Sequence, residues 1–193
     1  MREGFLKFKY ISINIGGTTL KITTKNIILG SLFAALTAIF SQISIPLTFT
    51  PVPINLATVA VFIAGGLLGA KLGAISQLVY VITGAIGVPV FANFTGGFGI
   101  VVGPTGGYIV GYIIAAIIVG VIVKKLGNSI YSYIVSMGVG ILGCYFIGTA
   151  WFMYLTQSGL IEALFMCVVP FLIGDILKII LSALLVKKLK KYV

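Results

Sequence analysis

Between Lys25 and Lys71 the chain runs 45 residues without a charged side chain, and between Lys71 and Lys124 it runs 52 more. A helix needs about 20 mostly apolar residues to cross the hydrocarbon core of a bilayer. Each stretch therefore holds an outward and a return crossing. The third stretch, Lys125 to Lys187, carries only Glu162, Asp175 and Lys178 as charges and has room for two more crossings. Three such hairpins give an all-α integral membrane protein with six transmembrane helices. Because each hairpin crosses an even number of times, every one of the 13 basic residues except Lys178 falls on one face. An excess of Lys and Arg marks that face as cytoplasmic, and it carries both termini.

The spans read as 27–45, 54–70, 72–88, 105–123, 130–155 and 160–186. A cytoplasmic N-terminal segment, 1–26, precedes this membrane domain (27–186) and a basic tail, 187–193, follows it. Pro170 offers a second start for the last span, since proline suits a first helical turn; residues 160–169 are then an outer connector. Thr48 to Pro53, Asn93 to Pro104 and Thr156 to Gly159 are polar or rich in Gly and Pro and lack basic residues, as outer loops should. Gly69-x-x-x-Gly73 straddles the turn between the second and third spans, which weakens it as a helix-dimer motif.

With 60% hydrophobic and 8% charged residues, the chain could not cover the surface of a soluble domain, where about 25% is usual. A net charge of +10 raises nucleic acid as a partner. Its placement at span ends answers to the lipid bilayer instead, and nucleic acid is set aside. Cys144 and Cys167 sit in apolar segments without CxxC spacing, and there is no histidine, which argues against a disulfide framework or a metal site. Lysines interrupt every apolar run in residues 1–25, against a signal peptide. Residues 5–15 alternate loosely in polarity, as a short extended or interfacial segment does.

Asp175 and Lys178 stand inside the last span. An ionisable residue there is costly and marks a pathway or a site with a nearby partner. Three residues apart on a helix, they share one face. Two readings fit: a ligand site, or a structural ion pair that pins the helix to its neighbours. Glu162 lies near an outer boundary, where water reaches it.

The run Val88-Pro-Val-Phe-Ala-Asn-Phe-Thr-Gly-Gly-Phe-Gly99, continuing to Tyr108, also admits two readings. Glycines such as Gly97 can offer backbone N–H groups to a ligand, with Phe91, Phe94 and Asn93 beside them; or they make a tight outer turn. The surroundings of Gly97-x-Gly99 lack the strand, helix and acidic residue of a dinucleotide fold, and no GxxxxGK[ST] loop occurs. No GxSxG elbow or paired carboxylates are present, so catalytic residues are not expected.

Four blocks carry a resemblance: Pro51-Val-Pro-Ile-Asn-Leu56, Gly84-Ala-Ile-Gly-Val-Pro-Val-Phe-Ala92, Gly103-Pro-Thr-Gly-Gly-Tyr108 and Pro170-Phe-Leu-Ile-Gly-Asp-Ile-Leu-Lys178. From about residue 27 to the C-terminus the chain resembles the BioY family, the biotin-specific substrate-binding (S) components of energy-coupling factor transporters. The resemblance implies a multi-pass protein of the cell membrane that captures biotin from the outer side. A transmembrane coupling subunit and two ATPase subunits would be its partners, with no cofactor beyond the transported biotin. It also maps the charged pair of the family's last motif onto Asp175 and Lys178. Ala57 stands where the family often has Gln, and Ile173 where it often has Pro.

Biotin has two ureido N–H donors, one ureido carbonyl, an apolar thioether ring and a carboxylate tail. Asp175 can accept from the ureido group, while Lys178 or Asn93 can donate to the carbonyl or the tail. Tyr80, Phe91, Phe94, Tyr108 and Trp151 offer apolar walls. The resemblance implies that Ala34-x-x-x-Ala38 on the first helix contacts the coupling subunit, with packing inside the bundle as the alternative. A secondary transporter of another small solute, acting without ATPases, is the competing function; it would call for inverted repeats or proton-relay acids.

The even-crossing argument has a direct test. Single cysteines introduced at residues 71 and 125 should resist an impermeant thiol reagent in intact cells, whereas one at residue 96 should react. The reverse pattern would overturn the topology.

Overall fold

The structure, a computed structural model, describes residues 10–15 and 18–192. Residues 1–9, 16–17 and 193 lie outside it, and with them part of the N-terminal segment and the end of the basic tail. Strands β1 (Tyr10–Ile15) and β2 (Thr18–Thr23) pair antiparallel, Tyr10 opposite Thr23. This agrees with an extended segment before the first helix.

Helix α1 (Thr24–Gln42) opens on Thr23, whose hydroxyl accepts from Asn26 N at 3.2 Å. The cap satisfies one of the four N–H groups that a helix start leaves without a partner. A second hairpin, β3 (Ser44–Leu47) with β4 (Thr50–Asn55), spans the connection expected at 48–53. There follow α2 (Ala57–Ala85), a short α3 (Phe98–Val101), α4 (Gly106–Leu126), α5 (Ile130–Thr156), α6 (Leu160–Cys167) and α7 (Leu172–Leu189).

Five helical segments among the described residues are long and apolar enough to cross a membrane, α6 and α7 together counting as one. The expected six follow from a reversal inside α2. Gly69 has φ 79° and ψ 176°, a backbone conformation that leaves the helix and that glycine tolerates best. A Cβ on Gly73 would stand 3.2 Å from Gly65 Cα, although eight residues of straight helix would separate them by about 12 Å. The chain therefore folds back on itself at Gly69, with a first leg over 57–68 and a second over 70–85. Thus the second and third expected spans hold, joined by a single residue.

The last span follows the second of the two expected starts, the one at Pro170. A 3-10 turn at Val169–Phe171 contains Pro170 and separates α7 from the residues before it, of which 160–167 form the short helix α6. Helix α1 begins at Thr24, and the last helix continues to Leu189.

The reversal is packed closely. A Cβ on Gly120 of α4 would meet Ala70 N at 2.1 Å, and one on Gly65 would meet the Ala116 carbonyl oxygen at 2.8 Å. Small residues allow this approach, in which dispersion between backbones holds helices together in lipid. Lys190 Nζ donates to the Leu67 carbonyl at 3.1 Å. That oxygen lies at the C-terminal end of the first leg, where carbonyls lack helical partners and a cation is favoured. Lys71, Lys124, Lys125 and Lys190 thereby gather at one end of the bundle.

These contacts predict that Gly120→Ala, which places a methyl against backbone that cannot yield, lowers stability by about 1–3 kcal/mol. Gly138→Ala should be nearly neutral, since a Cβ there meets nothing within 4 Å. Thermal unfolding of the detergent-solubilised variants measures both.

Candidate functional site

At the end of the bundle away from the lysines lies a cavity of about 320 Å³, within the usual range for small-molecule sites. Every crossing except α1 contributes to it. Asn55 comes from the end of β4, Thr58 from the start of α2, Tyr80 from its second leg, and Tyr108 and Tyr112 from the first turns of α4. Tyr145 comes from α5, and Asp175 and Lys178 from α7. Thr58 and Tyr80 share this cavity only because α2 reverses; on a straight helix they would be about 33 Å apart.

Asp175 and Lys178 are 4% and 7% exposed, and Lys178 Nζ donates to Asp175 Oδ1 at 2.8 Å. The Tyr145 hydroxyl donates to Asp175 Oδ2. Both carboxylate oxygens are thus occupied once, and each retains lone-pair capacity for a further donor. The ammonium directs one of its three hydrogens to Asp175. The pair is therefore neutralised internally and still lines the cavity.

The aromatic walls are fixed by glycines. A Cβ on Gly84 would stand 2.1 Å from Phe91 Cζ, so the Phe91 ring lies directly on the second leg of α2. Phe91 is 1% exposed and meets Tyr80 edge-on, with ring centroids 5.5 Å apart. The Tyr108 ring lies against Gly148 in the same way, and its hydroxyl pairs with Thr149 Oγ1 at 2.9 Å. Tyr80 also faces Tyr112, whose hydroxyl reaches Asn55 Oδ1 at 3.5 Å.

Of the residues expected at the site, Asp175, Lys178, Tyr80, Phe91, Asn93 and Tyr108 line the cavity. Gly97 does not. Its N–H donates to the Gly84 carbonyl at 2.7 Å and its φ is 107°, so it serves the turn. Phe94 is 72% exposed, and Trp151 Nε1 donates to the Gly103 carbonyl outside the cavity. Ala34 is buried in the core and Ala38 packs against it. The exposed face of α1 carries Ile28, Leu32, Ala35 and Ile39 instead, so the helix phase turns Ala34 into the bundle.

Tyr145, Tyr112, Asn55 and Thr58 were not anticipated. Nothing in the sequence distinguishes Tyr145 from the other tyrosines in the chain. Thr58 Oγ1 is buried against the cavity with no hydrogen-bond partner among the described residues.

The BioY family model matches residues 14–193, reaching further into the N-terminal segment than residue 27. The chain is 40% identical over 166 residues to the probable biotin transporter BioY of Pyrococcus horikoshii, covering 86% of this chain and 96% of that one. It is 35% identical over 167 residues to the biotin transporter BioY of Thermotoga maritima, again covering 86% and 96%. A crystal structure of the S-component for biotin from an ECF-type ABC transporter superposes with a TM-score of 0.81 at 30% identity, covering 88% of this chain and 92% of that one.

Removing one member of the buried pair leaves an uncompensated charge. Lys178→Met should therefore destabilise by about 3–5 kcal/mol, while Asp175→Asn combined with Lys178→Met should cost less than that single change. Unfolding midpoints in detergent give the ranking.

Proposed function

The chain belongs to the BioY family, and from that premise we propose that it is the biotin-binding S-component of an energy-coupling factor transporter in the cell membrane. The observation that carries this reading is a cavity in which one carboxylate, one ammonium and one phenol converge among aromatic walls. The matched relatives favour it over a secondary transporter.

A carboxylate can only accept, and the donors of biotin are its two ureido N–H groups. We therefore orient the ureido ring toward Asp175, with Lys178 donating to the ureido carbonyl. Turning the tail inward would set two carboxylates against each other. The thioether ring then lies among Tyr80, Phe91 and Tyr112, and the unpartnered Thr58 hydroxyl finds a polar group of the ligand. The tail extends toward Asn93.

The cavity opens on the side opposite the gathered lysines, which the positive-inside rule makes the outer side, with both termini cytoplasmic. A transmembrane coupling subunit and two ATPases complete the transporter. The coupling subunit docks on the exposed face of α1, where Ala35 permits close approach between Leu32 and Ile39.

Tritiated biotin binding to the purified protein tests the site. Asp175→Asn removes a charge-assisted hydrogen bond worth about 1.5–3 kcal/mol, so affinity should fall roughly ten-fold to over a hundred-fold. Lys178→Met should act in the same direction. Wild-type affinity in both variants, each with a normal size-exclusion profile, would remove the pair from the site.

A further inference from the structure

The wall segment 90–95 has an unusual backbone. Asn93 and Phe94 have φ of 59° and 55°, and two non-glycine residues in succession in the left-handed region store strain that the surroundings must hold. Asparagine tolerates that region; phenylalanine does so poorly. The same segment contributes Phe91, Ala92, Asn93 and Thr95 to the cavity.

What holds it is the end of α1, a helix that supplies none of the cavity lining. Gln42 Nε2 donates to the Phe91 carbonyl at 3.1 Å, and Gln42 Oε1 accepts from Phe94 N at 2.9 Å. One amide therefore grips the segment on both sides of its strained residues. Ser41 Oγ donates to the Val90 carbonyl, and Ser44 Oγ donates to Asn93 Oδ1 at 2.7 Å. Within the segment itself, Phe91 and Thr95 form an isolated antiparallel bridge, Phe91 N donating to the Thr95 carbonyl at 2.9 Å.

We propose that Gln42 is a positioning residue: its side-chain amide clasps segment 90–95 over the cavity and so governs how long a bound molecule stays. Gln42 does not line the cavity. It acts through Phe91 and Asn93, which do border the cavity. Changes around one binding site act mostly on the dissociation rate, so loss of the clasp should appear in dissociation more than in association. The choice of biotin as probe rests on the function proposed above, whereas the clasp itself rests on the geometry alone.

Two measurements on the solubilised full chain test it. In Gln42→Met, which keeps the length but loses donor and acceptor, tritiated biotin should dissociate about ten-fold faster, with the association rate changed by less than about three-fold. Gln42→Glu keeps the acceptor for Phe94 N and loses the donor to the Phe91 carbonyl, so its dissociation should be intermediate; it carries the test if the Met variant does not fold. Separately, hydrogen–deuterium exchange of residues 90–97 without ligand should quicken in both variants while the other helices stay at wild-type rates. Unchanged exchange in 90–97, a rise spread over the whole bundle, or a wild-type dissociation rate overturns the clasp. If the wild-type chain does not bind biotin, the functional reading fails, and the exchange measurement still decides the clasp.

Discussion

Backbone contact across glycine sets the shape of this bundle. In lipid, apolar surface gains little by leaving one hydrocarbon surrounding for another, so helices cohere where their backbones come close. Gly65, Gly73 and Gly120 bring the two legs of α2 and the basic half of α4 to such a distance. At the other end, glycines do the opposite task. Gly84 and Gly148 each receive an aromatic ring, Phe91 and Tyr108, and these rings keep the helices far enough apart to leave a cavity. One residue type thus closes the bundle below and shapes an opening above, according to whether backbone or an aromatic ring meets it.

The charged pair belongs to the open end. Burying Asp175 and Lys178 is tolerable because each neutralises the other and Tyr145 takes the second carboxylate oxygen. The arrangement leaves directional donors and acceptors on the cavity wall without an unbalanced charge in the membrane. Such a wall suits a small polar ring carried on an apolar frame.

Much of the architecture could be read from the lysines alone, because the spacing of charges measures hydrocarbon crossings directly. The reversal at Gly69 follows from Lys71, which needs an aqueous end. The break at Val168 to Phe171 was only half visible, through Pro170. For the lining of the cavity, charge was legible in the sequence and the direction of an aromatic ring was not. Asp175 and Lys178 announce themselves by cost, whereas Phe91 and Phe94, three residues apart in one loop, differ only in which way a strained turn directs them. Tyr145 is one phenol among several, and its role depends on α5 lying beside α7. Ala34 and Ala35 are the same residue in adjacent positions; only the phase of α1 against its neighbours sends the first inward and the second outward. Gln42 carries no charge and sits at a helix end, where a glutamine attracts no notice until its two loop partners are placed beside it.

The single-residue turn at Gly69 bears on how the protein is made. The first leg of α2, residues 57–68, is about 18 Å long, against a hydrocarbon core of about 30 Å. The strand before it has its backbone groups paired only once β3 and β4 have met, and unpaired backbone is not stable in hydrocarbon. The first leg cannot therefore lodge in the bilayer as an independent stop during synthesis. The shortness of the first leg thus predicts that the two legs enter the bilayer together, as one hairpin.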